Sequence, residues 1–464
     1  MIAARTAADG VLLAAGAVES LDVYIARGGG QGLRNGLVLG PAGIIAEVTR
    51  SCLRGRGGAG FSTGAKWASV ARDPCPTKYV VCNGAEGEPG TFKDRCLLRK
   101  NPYQLLEGLA IAAHAIGTQR AFVCLKKSFE REIAAVRRAL AEMTKTNCLG
   151  SVTVDVVLGP EDYLFGEEKA MLEVIEGGGA MPREADRPPY VYGLFVTRPD
   201  HPNPTVVNNV ETLSSIPHIL ARGAEWFRSI GTPDTPGTML FTISGDVNTP
   251  GVYELPMGTP LDQLVFERGG GLRPGRTLKA VFSGVSNAVI LPSALHARLD
   301  FGSMQAIGSG LGSGGFIVYD DTACMVRVAH AFSAFLHGES CGQCTPCTFG
   351  TNQATHHLRK LVDGSGGQSD LAFVLEGAAM APHANRCYLP VEHSLVVPSI
   401  VHAFTGEFEQ HFNRGCQGCR EAIVPKISDF DEATGAFTYA RCDASSGDTH
   451  GGSDVRYAIT RVRS

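Results

Sequence analysis

Between Glu339 and Cys347 the chain reads Glu-Ser-Cys-Gly-Gln-Cys-Thr-Pro-Cys, and this stretch limits what the surrounding sequence can build. Cys341, Cys344 and Cys347 stand at C-x2-C-x2-C spacing, which puts three thiolates on one tight loop; a fourth, Cys387, follows forty residues later. Three close thiols and one distant one is the ligand arithmetic of a 4Fe-4S cluster, one thiolate per iron. Structural zinc more often shows two separate C-x2-C pairs, and zinc or plain buried thiols are the alternatives that spacing alone leaves. The flanks fit a loop held between helices. Met325, Val328, Phe332 and Leu336 recur at helical spacing and stop at Gly338. Thr345 reads as an N-cap and Pro346 as the first residue of the next helix. An anionic cluster there would face that helix's free N–H groups and positive end.

A chain of 464 residues has material for several domains with real cores. Its formal net charge of -4 argues against a nucleic-acid-binding surface. No apolar run reaches membrane-spanning length; the best, 105–116, is interrupted by Glu107 and His114. Asp9 and the lack of a basic leader before the weakly apolar 11–18 argue against a secretory signal. Most of the 14 cysteines stand singly in apolar segments, as Cys82, Cys124 and Cys324 do. That is the pattern of reduced thiols in a cytoplasmic protein. The 57 glycines exceed average usage, so backbone must approach something closely in several places.

One such place is the run Arg54-Gly55-Arg56-Gly57-Gly58-Ala59-Gly60-Phe61, which continues to Lys66-Trp67. Gly55 to Gly60 matches G-x-G-x-x-G, but no clear strand leads into it, and Lys66 is not placed as in a P-loop. What remains is a series of bare backbone N–H groups with Arg54, Arg56 and Lys66 supplying charge. Such a run is a cradle for a flat anionic ligand, or a flexible loop.

The following residues alternate. Strands are expected over 78–82, 121–125 and 152–158, with helices over 103–116 and after Ser128, read as an N-cap. This implies a parallel sheet covered on both faces, with ligands at the carboxyl ends of the strands. There lie Asn83 to Thr91, with Glu86 and Glu88 among glycines, and Tyr163 to Glu168. Asn208 and Asn209 pair two amides able to read both edges of a heterocycle; an asparagine-rich turn is the alternative. The organisation expected is a weakly patterned lead-in (1–50), an α/β unit (51–230) and a small β-rich unit (236–323). The β-rich unit has strands over 239–244, 252–255 and 279–283 and a short helix near 261–264. A helical unit (324–412) and a polar tail (413–464) follow; in the tail Cys416, Cys419, Cys442 and His450 could hold zinc or a further cluster.

Taken together, RGRGGAGFSTGAKW at 54–67, CNGAEGEPGTFKDR at 82–95, GEE at 166–168, TVVNNVETL at 205–213 and ESCGQCTPC at 339–347 resemble one family. It is the flavin- and NADH-binding subunit of respiratory complex I, with its relatives in NAD-linked hydrogenases and formate dehydrogenases. The resemblance implies a Rossmann-like FMN domain, a ubiquitin-like (SLBB) domain and a helical bundle holding a 4Fe-4S cluster through Cys341, Cys344, Cys347 and Cys387. It implies FMN held by Gly55, Gly57, Gly58, Ala59, Gly60, Lys66, Asn83, Glu88, Asn208 and Asn209. NAD(H) would stack on the flavin, gripped by Phe61, Glu88, Glu167 and Glu168, with Tyr163 and Gly166 in the same site.

The activity implied is that of an NADH dehydrogenase (diaphorase) subunit, in which flavin mediates between a two-electron donor and a one-electron cluster. Glu88, the one residue assigned beside the reaction, would position the cofactor and tune it rather than move a proton. Electrons would leave through a separate partner, a thioredoxin-like 2Fe-2S subunit of a larger complex that is cytoplasmic or attached to a membrane complex through partners.

Some positions depart from the family pattern. Ala85 stands where a carboxylate is usual, Ser69 where an adenine-stacking aromatic is usual, and Phe165 replaces a cysteine, while an aromatic remains at Tyr190. The alternative function is a non-catalytic electron relay whose dinucleotide site has decayed or changed.

Overall fold

The computed structural model describes residues 10–440 apart from 14–15, 185–191, 199, 418–419, 421 and 423, together with the backbone of residues 459–460. Four parallel strands, β1 (Tyr79–Gly84), β2 (Arg120–Lys126), β3 (Thr153–Gly159) and β4 (Thr205–Asn209), form a sheet of order β3-β2-β1-β4. Tyr79 to Cys82 are buried throughout, as a central parallel strand covered on both faces requires. Before the sheet come helices α1 (Leu21–Ala26), α2 (Gln31–Arg50) and α3 (Thr63–Arg72). Then follow α4 (Lys93–Lys100), α5 (Pro102–Ile116), α6 (Glu130–Lys145), α7 (Glu168–Ile175), α8 (Val210–Arg222) and α9 (Ala224–Arg228).

One face of the sheet is covered by α2, α5 and α8 through Ile44, Val48, Leu106, Ile111, Leu213 and Ile216. The other is covered by Phe165, Met171, Leu172 and Leu194. Residues before 51 share the first of these cores, since Leu12, Val18 and Tyr24 are buried in it. Glu107, which interrupts an apolar run in sequence, anchors that segment: its carboxylate accepts from Gly30 N, Leu33 N and the Tyr24 hydroxyl. Ser128 does not cap α6. The N-cap is Phe129, and the Ser128 hydroxyl instead donates to Glu161 at 2.6 Å.

The β-rich unit holds β5 (Thr238–Gly245), β6 (Gly251–Pro256), β7 (Leu278–Ser283), α10 (Phe301–Ala306) and β8 (Gly315–Asp320), with strand order β6-β5-β8-β7. Sequence periodicity missed β8, a wholly buried strand that pairs parallel to β5 and follows a glycine-rich approach. The short helix expected near 261 winds as a π-turn over Gln263–Arg268.

The helical unit is α11 (Met325–Gly338), α12 (Thr345–Asp363), α13 (Gln368–Met380), α14 (Leu389–Ala403) and α15 (Thr405–Gln410). Cys344, not Thr345, is the N-cap of α12, so the cluster loop runs directly into the helix start. Gly350 and Gly377 let α12 and α13 touch: a Cβ on Gly350 would sit 2.5 Å from the Gly377 carbonyl oxygen.

The polar tail proves to carry structure. β9 (Lys426–Asp431) and β10 (Ala436–Ala440) pair antiparallel, and β11 (Ile459–Thr460) pairs with β10. Ile427 and Phe437 bury against Phe92 and Cys96. Arg95 and Arg99 donate to the Ser428 and Phe430 carbonyls, which docks the hairpin on α4. No helix among the described residues is long and apolar enough to cross a membrane.

Candidate functional site

The strand order places β1 between β2, its successor, and β4, whose connection runs to the opposite side; ligands of doubly wound sheets bind at such a switch point. Cys82 pairs with Asn208 and Asn83 with Asn209 across it, so both asparagines expected from sequence stand at adjoining strand ends. The glycine run closes over them as a pinched loop. Arg54 and Ser62 form an antiparallel bridge, and Gly55 N donates to the Phe61 carbonyl at 2.8 Å. A Cβ on Gly57 would sit 3.2 Å from Asn209 Cβ. One on Gly60 (φ 62°) would sit 2.5 Å from the Phe301 ring, whereas Gly58 (φ 129°) faces open space. Ala59 is exposed, and Phe61 projects with 64% of its surface exposed.

Two of the three charges expected to serve this loop are used elsewhere. Arg56 is fully buried and donates to the Pro236 and Thr238 carbonyls, and burial lowers its guanidinium to about 10. Arg54 donates to the Gly60 carbonyl and covers the Phe301 ring. Lys66 remains at the rim, donating to Glu168 and to the Val207 carbonyl midway along β4. The asparagine amides are partly committed: Asn208 accepts from Trp67 Nε1, and Asn83 donates to the Gly166 carbonyl. Asn209 caps α8 through Glu211 N and donates to Asp94.

Beneath lies an ionic network that the sequence reading missed. Lys93, 1% exposed, lies 2.9 Å from both Asp94 and Glu211 and donates to Asn209. Burial works against its charge, but Asp94, Glu211 and Glu86 outweigh it and hold the ammonium protonated. Glu86 accepts from the N–H groups of Asp94 and Arg95 at the start of α4, and burial with Asp94 lifts its carboxyl to about 7. The FKD run of residues 92–94 was the available signal, but a lysine next to an aspartate reads as a solvated helix start.

The turn Tyr163–Gly166 joins this site to the thiols. The Tyr163 hydroxyl donates to Glu88 at 2.5 Å and lies 3.2 Å from Glu392 Oε2, and its N–H donates to Glu339. Glu88 also accepts from Val285 N, so both its oxygens are held. Burial raises the Glu88 carboxyl, and burial with the charge of Glu88 lifts Glu392 to about 8. Glu167 caps α7 through Ala170 N. Leu164, next in the turn, lines a small cavity with Ser340, Cys341, Cys344, Cys347 and Cys387. These four thiols form no disulfides, and burial raises Cys347 and lifts Cys387 to about 12. Four unbridged thiols around one cavity at a helix start suit a cluster that takes up thiolates.

Of the departures, Ser69 is exposed on α3, Ala85 is buried, and Phe165 packs flat on Gly159. Tyr190, Cys419, Cys442 and His450 lie outside the described residues. Cys416 is brought together with Cys324 and His411 instead.

A switch-point sheet under a bare glycine loop, one turn away from a four-thiol cavity, defines a flavin and iron–sulfur electron-transfer module. Residues 48–218 match the family described as Nuo51 FMN-binding domain, 240–285 the SLBB domain, and 327–411 the NADH-ubiquinone oxidoreductase-F iron-sulfur binding region. The second NADH-quinone oxidoreductase F subunit of Rhizobium meliloti (strain 1021) is 45% identical over 361 residues, 76% of this chain and 84% of that one. The NADH-quinone oxidoreductase F subunit of Streptomyces coelicolor is 40% identical over 407 residues, 86% of this chain and 89% of its own length. The crystal structure of an NAD+-reducing [NiFe]-hydrogenase in the H2-reduced state aligns with TM-score 0.75 at 33% identity, covering 86% of this chain and 68% of that one. The chain belongs to the family of NADH-quinone oxidoreductase F subunits.

Proposed function

We infer that this chain is the NADH-oxidising module of a larger oxidoreductase complex, binding FMN and a 4Fe-4S cluster. The observation that carries this reading is the Tyr163–Gly166 turn, which touches the flavin-side carboxylate Glu88 at one residue and the thiol cavity at the next. Both groups fit the residues present. The loop bearing Gly55, Gly57, Gly58, Ala59 and Gly60 leaves backbone bare beside the strand ends, and Lys66 supplies the remaining cation there. Cys341, Cys344, Cys347 and Cys387 would hold the cluster.

When bound, FMN takes an electron pair from NADH and gives electrons up singly, which matches a two-electron donor to a one-electron cluster. The chain's own groups position and insulate. Lys66 and the loop N–H groups would hold the flavin phosphate, and Asn83, Asn208, Asn209 and Gly166 would frame the ring. Phe61 supplies an exposed aromatic face for the nicotinamide nucleotide. Glu167 and Glu168 would hold its ribose, where a carboxylate accepts from a 2′-hydroxyl and repels a 2′-phosphate, which would favour NAD(H). Glu88 is held by Tyr163 and Val285 N, so it positions the cofactors. With Ser69 in place of an adenine-stacking aromatic, dinucleotide affinity should be weaker by about 1 kcal/mol.

Electrons then pass to a thioredoxin-like 2Fe-2S partner, and the module works in the cytoplasm. The test is anaerobic addition of NADH to the reconstituted protein with the visible spectrum recorded. Rapid bleaching of the flavin band is expected. A flavin unmoved by NADH but bleached by dithionite would establish the relay alternative instead.

A further inference from the structure

Away from the four-thiol cavity, three ligand-type side chains from separate segments converge. Cys324 is the N-cap of α11, His411 follows α15, and Cys416 lies in the loop beyond it. One ligand atom of each lies within 4.8 Å of the other two. Cys324 and His411 are buried, at 2% and 6% exposure. Both thiols fall outside the stretch 327–411 that matches the family's iron-sulfur region.

The hydrogen bonds around the histidine fix its chemistry. His411 Nδ1 lies 2.7 Å from the Glu407 carbonyl oxygen, which can only accept, so Nδ1 carries the proton. Nε2 therefore presents its lone pair, 3.4 Å from Cys324 Sγ. A ring nitrogen tied to a backbone carbonyl, with the other facing a thiol, is the arrangement of a metal-ligating histidine.

The third ligand is held by backbone rather than by the site. Cys416 N donates to the Val362 carbonyl and Asn413 N to the Gly366 carbonyl. Gly364 and Gly415 abut so closely that a Cβ on either would lie within 2.9 Å of the other's backbone. The loop is thus fixed against the end of α12, and its thiol is presented without help from an ion.

We propose that Cys324, His411 and Cys416 bind a structural zinc ion, separate from the iron–sulfur cluster. Thiolate and imidazole donors in this number select tetrahedral Zn2+. Thiolates around a four-iron cube stand farther apart than ligands closing on a single ion. Cys419, at C-x2-C spacing from Cys416 in sequence, lies outside the described residues. Binding displaces the thiol protons to solvent, one for each thiolate bound. The ion would tie the start of the helix that leads to the cluster loop to the segment that runs on into β9. Cluster and hairpin would then share one fixed frame.

The full-length protein, purified without chelator from zinc-replete culture, is expected to carry about one zinc beside about four irons per chain. Cys324→Ser and His411→Gln should each lower zinc at least tenfold with iron unchanged, and Cys341→Ser should lose iron and keep zinc. Zinc-edge absorption of the wild-type protein should show sulfur at about 2.3 Å and nitrogen at about 2.0 Å, a readout that does not depend on any variant folding. Wild-type protein without stoichiometric zinc would overturn the proposal. So would zinc that follows Cys341 rather than Cys324, or a Cys324–Cys416 disulfide in peptide maps.

Discussion

The Lys66 ammonium contacts both carboxylate oxygens of Glu168, at 2.9 and 2.8 Å, and joins the helix after the glycine loop to the start of α7. Its third bond, to the Val207 carbonyl, fixes it against the middle of β4. A phosphate bound at this switch point would take over from Glu168 as partner of this cation. Charge-assisted hydrogen bonds contribute about 1.5–3 kcal/mol, so Lys66→Met should weaken FMN binding by roughly 10- to 100-fold. Quenching of free-flavin fluorescence during titration measures this, and unchanged affinity would remove Lys66 from the site.

Gly60 is required twice over, by its φ of 62° and by the Phe301 ring that a Cβ would meet at 2.5 Å. Left-handed backbone costs about 1–2 kcal/mol for a non-glycine residue, and the clash adds to it. Gly60→Ala should lower both flavin content and the thermal midpoint. Gly406→Ala, in a helix with nothing within 4 Å of the new Cβ, should be neutral or stabilising by about 0.5–1 kcal/mol. Calorimetry of the pair separates loop geometry from a general effect of removing glycine.

Glu392 makes stability depend on pH. Its carboxyl is raised to about 8 by burial and by Glu88, with Tyr163 between the two. Between the unfolded value of 4.5 and about 8, the folded chain retains a proton that the unfolded chain has released. The stabilisation from this group is therefore complete below the unfolded value and is lost as pH rises through the folded one. Glu392→Gln should raise the thermal midpoint relative to wild type, by a margin that grows from pH 5 to pH 9. A constant margin across that range would show that the carboxyl does not titrate there.

Cys341 stands on the cavity rim with Gln343 Nε2 3.4 Å from its sulfur. Loss of one of four thiolates leaves an iron without its protein ligand. Cys341→Ser should reduce iron from about four per chain to below about one, by chelation assay after anaerobic purification. Cys96→Ser, buried under the hairpin and away from the cavity, should retain it.

The features legible in the sequence were those that local chemistry writes locally. Thiol spacing placed Cys341, Cys344 and Cys347 on one loop, and 3.6-residue periodicity gave α11 with its observed ends. Strand–helix alternation gave β1 to β3 to within a residue or two. Sequence reading failed where a residue's role depends on a distant partner. Ser128 looked like a cap until Glu161 was beside it, and Arg56 looked like a phosphate ligand until the start of β5 buried it. β8 was hidden because its partners β5 and β7 are remote in the chain. The hairpin β9–β10 was hidden because Ile427 and Phe437 bury against Phe92 and Cys96, which are remote in the chain.

By itself, then, the sequence determined the fold class and the cofactors, and it pointed to the strand ends and the glycine loop that the fold brings near one another. These follow from spacing, periodicity and glycine placement, which act within a few residues. Tertiary structure decided how those groups are charged and which of them meet. Lys93 with Glu211, Tyr163 with Glu392 and Cys324 with His411 are far apart in the chain, and only folding brings each pair into contact. Protonation and metal affinity are sums over such neighbours and over lost water, so they exist only once the chain has closed around them.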